Sequence, residues 1–152
     1  MHVRPATPDD AETLAAFNAG LARETEDKEL DRDVLLRGVR ALLADPAKGR
    51  YLVAEEDGRP LGALALTLEW SDWRDGWFWW IQSVYVDPEA RGRGVYRALH
   101  EQVVAEARSA GDVRGIRLYV EKENTAAQRT YEKVGMSPSC YDIYEQVLIP
   151  VD

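Results

Sequence analysis

A mixed α+β fold is predicted by three features of the sequence. Two N-terminal segments carry apolar residues at helical spacing, the middle is a run of strand-like segments joined by Asp-Gly turns, and one strand–helix–strand crossover follows residue 86. The chain has 152 residues and no repeat, low-complexity tract or linker-like stretch, so it reads as a single domain over residues 1–152.

The elements follow in order. Residues 2–5 form a short strand. Thr7 caps a helix with Pro8 at its first position and Asp9 and Asp10 in its first turn, where the helix dipole favours negative charge. Leu14, Ala15, Phe17 and Leu21 supply its apolar side to about Arg23. After the charged stretch Glu24 to Glu29, Asp31 opens a second helix bearing Leu35, Leu36, Val39, Leu42 and Leu43, which Asp45-Pro46 ends. Tyr51 to Glu55 and Leu61 to Trp70 are strands joined across Asp57-Gly58, and Asp75-Gly76 turns into the strand Trp77 to Val86. A long helix spans about Gly94 to Ser109, with Leu99, Val103 and Ala107 on one side and Gly111 as its stop. Residues 116–120 form an apolar strand. Asn124 or Thr125 opens a short helix ending at Gly135, and Cys140 to Ile149 reads as a last strand. The crossover through the long helix is expected to be right-handed.

Composition narrows the function. The longest apolar runs, such as Leu61 to Leu66, are too short to span a bilayer, and no apolar signal stretch follows Met1. The lone Cys140 excludes an internal disulfide and reads as a small buried hydrophobe. These features predict a cytoplasmic protein with no membrane partner. The net charge of −8 argues against nucleic acid and favours cationic solutes.

One segment breaks the acidic trend. Residues 84–97 place Arg91, Arg93 and Arg97 around Gly92 and Gly94, where a strand ends and a helix begins. Glycines allow close backbone approach, the first N–H groups of a helix are free, and arginines add charge-assisted hydrogen bonds. Such a turn suits a pyrophosphate, although a glycine turn with solvated arginines gives the same pattern. The dinucleotide fingerprint needs a third glycine where Arg97 stands, and no P-loop Gly-Lys-Ser/Thr occurs.

A second segment, Glu123 to Met136, follows an apolar strand. Arg91-Gly92-Arg93-Gly94-Val95-Tyr96 matches Arg/Gln-x-x-Gly-x-Gly/Ala except for Tyr96 at the last position. Asn124, Tyr131, Gly135 and Met136 match an Asn followed by a helix ending near Tyr-x-x-x-Gly-Phe/Met. Together, in this order and with these flanking hairpins, the two segments resemble the GNAT superfamily of N-acetyltransferases. The resemblance covers the chain from Tyr51 onward and, more loosely, the two N-terminal helices. It implies a GNAT-like mixed, mostly antiparallel central sheet flanked by helices, with acetyl-CoA as acyl donor and no metal. The backbone of Val84, Tyr85 and Val86 would pair with the pantetheine arm. Backbone N–H groups of Gly92, Arg93, Gly94, Val95, Tyr96 and Arg97 would hold the pyrophosphate, with Arg91 also at this anion site and the Tyr96 ring turned away. Asn124 would bind pantetheine, and Tyr131 would lie near the thioester sulfur.

The activity this implies is acetyl transfer to a primary amine of a small cationic molecule. Its alternatives are a protein-modifying acetyltransferase and a non-catalytic CoA-binding sensor. A thioester is already activated, so the enzyme must place the reactants, keep the amine neutral and protonate the departing thiolate. Tyr131 is the candidate acid. The base stays open: Gln82 cannot serve, and Glu69, Asp72 and Glu121 are substitutes. His100 reads as a solvated helix histidine. All five tryptophans fall between Trp70 and Trp80. Trp70, Asp72 and Trp73 form a candidate cation site for the acceptor, and a homodimer interface explains the same stripe equally well.

Overall fold

The computed structural model describes residues 1–151 and divides them into two units, the first from Met1 to Tyr119 and the second from Val120 onward. In the first unit β1 (His2–Pro5) leads through a 3-10 turn (Pro8–Asp10) into α1 (Ala11–Glu26) and α2 (Arg32–Ala44). Then come β2 (Arg50–Glu56), β3 (Arg59–Ser71), β4 (Gly76–Val86), α3 (Val95–Ala110) and β5 (Val113–Leu118). The second unit holds α4 (Thr125–Lys133).

The strands form one sheet in the order β1-β2-β3-β4-β5. The first three pairings are antiparallel and β4–β5 is parallel, as a strand–helix–strand crossover requires. Asp57 and Gly58 both take positive φ (52° and 76°), the geometry of a tight hairpin turn, which explains that dipeptide at the β2–β3 corner.

Side chains alternate across each strand, so the sheet has two packed faces. One buries Leu52, Leu64, Leu66 and Ile81 against Val95, Leu99 and Val103 of α3. The other buries Tyr51, Val53, Ala63 and Ala65 under Leu14 and Ala15 of α1 and Leu36 and Val39 of α2. Each buried leucine or valine contributes about 1.5–3 kcal/mol relative to exposure. At the far edge, Arg4 bridges Asp10 through two bonds of 2.8 and 3.0 Å and reaches Glu55 at 2.8 Å, tying β1 and the 3-10 turn to β2.

Three expectations need correction. The strand expected over residues 116–120 starts at Val113 and stops at Leu118. Arg114 and Gly115 blur the apolar pattern there, yet the parallel ladder with β4 includes them. No strand forms over Cys140–Ile149. Apolar content marks a strand only where a neighbour supplies the ladder, and Tyr141, Ile143, Tyr144, Val147, Leu148 and Ile149 are all exposed. Cys140 is likewise exposed, not buried.

Candidate functional site

The first unit places an unpaired strand edge directly before a glycine turn. The β4–β5 ladder runs from Trp77–Val113 to Ile81–Leu118 and ends there, while β4 continues to Val86. From Gln82 to Val86 one edge of β4 therefore has no strand beside it among the described residues, a lane of roughly 16 Å at ~3.3 Å per residue. On its other edge β4 stays paired with β3, but a bulge intervenes: Ala65 faces Ser83 and Leu66 faces Ile81, leaving Gln82 as the extra residue. The Gln82 amide donates to the Thr67 hydroxyl at 2.8 Å, which fixes this side chain where the β5 ladder stops.

The lane opens onto the turn. Asp87 accepts from the Glu89 N–H at 2.9 Å and caps the short 3-10 turn Pro88–Ala90. Gly92 and Gly94 then take φ of 76° and 79°, a left-handed conformation that costs other residues about 1–2 kcal/mol. A Cβ at either position would meet open space, so backbone conformation rather than crowding demands glycine. Gly94 is the N-cap of α3, and Ala98 donates back to its carbonyl at 3.0 Å. The N–H groups of Gly92, Arg93, Gly94 and Val95 bond to no other described residue. Four free donors at the positive end of a sixteen-residue helix are the kind of arrangement that could hold an anion. The departure at Tyr96 is accommodated: its ring is buried, and its hydroxyl shares a 3.2 Å hydrogen bond with His100 Nδ1.

The arginines behave differently from the glycines. Arg91 Nε donates to the Val86 carbonyl at 3.1 Å, and its Nη2 reaches Glu24 of α1 at 2.6 Å. Tyr85 also donates to Glu24, at 2.8 Å, and its ring packs on Phe17. Partial burial pushes the Glu24 carboxyl up, but the hydrogen bonds from Tyr85 and Arg91 outweigh it and hold the carboxyl below its ordinary range. Arg93 pairs with Glu56, and Arg97 with Glu101 at 3.4 Å. Each cation of the turn thus already has a carboxylate partner. This signal was unreadable in the sequence, because Glu24 and Glu56 lie 67 and 37 residues away.

Other residues singled out in the sequence fall elsewhere. Trp70 and Trp77 meet edge to face at 5.0 Å, and Trp73 is 85% exposed in the turn between β3 and β4. Asp72 accepts from the Trp73 N–H at 2.9 Å. This hairpin tip lies at the start of β4, the opposite end from the glycine turn. Glu69 is paired with Arg117 at 2.8 Å. His100 is not solvated: it is 5% exposed, and burial pulls its pKa below the ordinary histidine value. Four residues separate it from Tyr96, so both share the inner side of α3.

In the second unit, Asn124 accepts from the Ala127 N–H at 3.1 Å and caps α4. Gln128 ties down the preceding loop through bonds of 3.0 and 2.9 Å to the carbonyls of Glu121 and Lys122. The helix ends in a Schellman pair. Met136 N–H donates to the Tyr131 carbonyl at 3.1 Å and Gly135 N–H to the Glu132 carbonyl at 3.0 Å, with Gly135 at φ 93°. Hence the Tyr131…Gly135-Met136 spacing has a local cause as a helix stop. Burial pushes the Tyr131 phenol above its ordinary pKa, which keeps its proton in place at neutral pH.

Among the described residues no cluster of three or more His, Cys, Asp or Glu is arranged to hold a metal ion, and no helix is long and apolar enough to cross a membrane. The open sheet carries a free strand edge beside a glycine turn, and residues 13–136 match the model of the Acetyltransferase (GNAT) family. The chain belongs to that family. It is 35% identical to a mycothiol acetyltransferase of Mycolicibacterium gilvum, over 95% of this chain and 47% of that protein. It is 33% identical to one of Gordonia bronchialis, over 89% of this chain and 42% of that protein. The chain thus spans less than half the length of these relatives. A crystal structure of a possible acetyltransferase from Clostridium difficile is similar along the whole chain, with a TM-score of 0.92, 46% identity and 98% of each chain covered. The mixed, mostly antiparallel sheet is the architecture expected from the motifs.

Proposed function

We propose that this chain, acting as one N-acetyltransferase domain, transfers the acetyl group of acetyl-CoA to a primary amine on a small cationic molecule. The observation that carries the reading is the free β4 edge from Gln82 to Val86 leading straight into the unbonded N–H groups of Gly92 to Val95. Acetyl-CoA suits that order of features. Its amide-bearing pantetheine arm can bond the backbone of Val84, Tyr85 and Val86 like an added strand, as extended ligands do at open edges. Its pyrophosphate can take the N–H groups of the turn from Gly92 through Arg97. The thioester supplies the activated acyl group, and the protein's own part is to bind and orient it.

The remaining roles are assigned in the same proposal. Arg91 is chiefly a clamp between α1 and the turn, since two of its donors are committed to Val86 and Glu24. Asn124 offers its amide N–H groups to pantetheine, its carbonyl being used in the helix cap. Tyr131 donates the proton that the departing thiolate requires. A small-molecule acceptor is supported by the relatives named mycothiol acetyltransferase.

For Trp70, Asp72 and Trp73 two readings compete, a cation site and a homodimer contact. Gly76, at the hairpin end of β4, is six residues from Gln82, roughly 20 Å along the strand. That separation, and the solvent exposure of Trp73, favours contact with a second copy of the chain. The deciding experiment for the central reading has two parts. Calorimetry with CoA should show binding, and thiol release from acetyl-CoA should rise with primary amines and not with alcohols. Absence of CoA binding overturns the proposal. Binding without transfer to any amine leaves a CoA sensor.

A further inference from the structure

The lane along β4 has a closed end, and its walls are not equivalent. A ligand paired with Val84, Tyr85 and Val86, with its pyrophosphate at the turn after Val86, points its acyl end back toward Gln82. There it meets the end of β5 head-on, because the lane is the path β5 would take if it continued. Straight ahead the Ile81–Leu118 pair of the ladder blocks the way. On the α3 face Ile81, buried, and Leu118, partly buried, belong to the core. On the opposite face Trp80 and Tyr119 lie across the two strands with ring centroids 4.6 Å apart. Trp80 is held from behind: Arg117 stacks on Phe78 at 3.6 Å, lies 6.0 Å from the Trp80 ring, and is bonded to Glu69.

We propose that the Trp80–Tyr119 pair sets the length of the acyl group this protein accepts, a specificity role that rests on the acetyl-CoA reading above. The argument is one of room. Two walls are backbone ladder and core, which cannot yield without unfolding the sheet. The third is a pair of side chains outside the core, and Tyr119 is 52% exposed. An acetyl group adds only a methyl beyond the carbonyl and fits short of the wall. A butyryl chain adds two further methylenes, which must displace the aromatic pair. Pockets of fixed size discriminate by roughly 10–200-fold per methylene.

The test is calorimetric and needs no acceptor. CoA, acetyl-CoA and butyryl-CoA are titrated into the wild type, Tyr119→Ala and Trp80→Leu. In the wild type butyryl-CoA is expected to bind at least ~10-fold more weakly than acetyl-CoA, and in Tyr119→Ala the two should come within ~3-fold. Trp80→Leu should shift the ratio in the same direction. CoA itself ends at the thiol short of the wall, so its affinity should not change, and this also reports an intact fold. Equal wild-type affinity for the two thioesters overturns the proposal, as does an unchanged ratio in both variants with normal CoA binding. A wild type that binds no CoA overturns the parent reading and this one with it.

Discussion

Arg91 and Glu24, on opposite sides of a 67-residue sequence gap, are joined at 2.6 Å, so the end of α1 is fastened to the turn that precedes α3. Glu24 also accepts from Tyr85, a residue of the free β4 edge. A carboxylate is therefore paired with Arg91, one of the arginines of the proposed anion cradle.

That placement makes the two members of the pair respond in opposite directions. Glu24→Gln removes a negative charge next to the cradle and should tighten CoA binding about 2–5-fold at low salt, the scale of a partly exposed charge interaction. The gain should fade as salt rises. Arg91→Glu reverses a charge and breaks the clamp, so CoA binding should fall well over tenfold. Calorimetry at two ionic strengths measures both. If Glu24→Gln weakened CoA binding, Glu24 would be serving the ligand rather than competing with it.

Trp73 separates the two readings of the aromatic hairpin. At 85% exposure it contributes little to the folded monomer, so Trp73→Ala should move stability by no more than ~0.5 kcal/mol. The expected effect is a lower sedimentation mass with unchanged CoA affinity. A raised acceptor KM at constant mass would instead put the amine at Trp70, Asp72 and Trp73.

Signals confined to a few neighbouring residues were readable in the sequence. Asp57-Gly58 marked its turn because both residues need positive φ. Gly135 marked the end of α4 for the same reason. The glycine turn was visible in the sequence, yet the partners of Arg91 and Arg93 were not, since pairing across the fold leaves no local pattern. His100 reads as solvated beside Glu101 and Gln102, whereas Tyr96 and Val103, at helical spacing on either side, place it on the buried side of α3. The failed strand over Cys140–Ile149 shows the converse: apolar residues state a preference for pairing, and the ladder itself requires a neighbour.

His100 should give the fold an acid limit. Burial lowers its folded pKa below the ordinary value of about 6.5. The unfolded chain therefore binds the proton more readily than the folded one. Stability is unaffected above about pH 6.5 and falls as pH drops below it, until the folded-state pKa is reached. His100→Gln should flatten that part of the profile, measured as melting temperature from pH 7.5 to 5. Because the residue supports Tyr96 in the first turn of α3, the variant should also lower stability at pH 7.5. An unchanged slope between pH 6.5 and 5 would mean that other groups govern this range.

The last expectation concerns Tyr131. If its hydroxyl protonates the departing thiolate, it acts in the transition state more than in ground-state binding. Tyr131→Phe should then lower kcat and kcat/KM together and leave the KM for acetyl-CoA nearly unchanged. General acid catalysis is typically worth ~10²–10⁴-fold, which sets the expected loss where chemistry limits turnover. The pKa direction adds a second readout. Burial holds the phenol above its ordinary pKa, so any loss of kcat from its ionisation should set in at a higher pH than for an ordinary tyrosine. The Phe variant keeps the ring, and the Tyr131 carbonyl that accepts from Val134 and Met136 belongs to the backbone. The helix stop and the melting temperature should therefore survive, unlike in Tyr131→Ala, which also removes the ring and its packing. Full activity in a folded Tyr131→Phe variant, with chemistry shown to be rate-limiting, would remove Tyr131 as the acid. Acetyl transfer itself would still stand, because water reaching the sulfur can deliver the same proton.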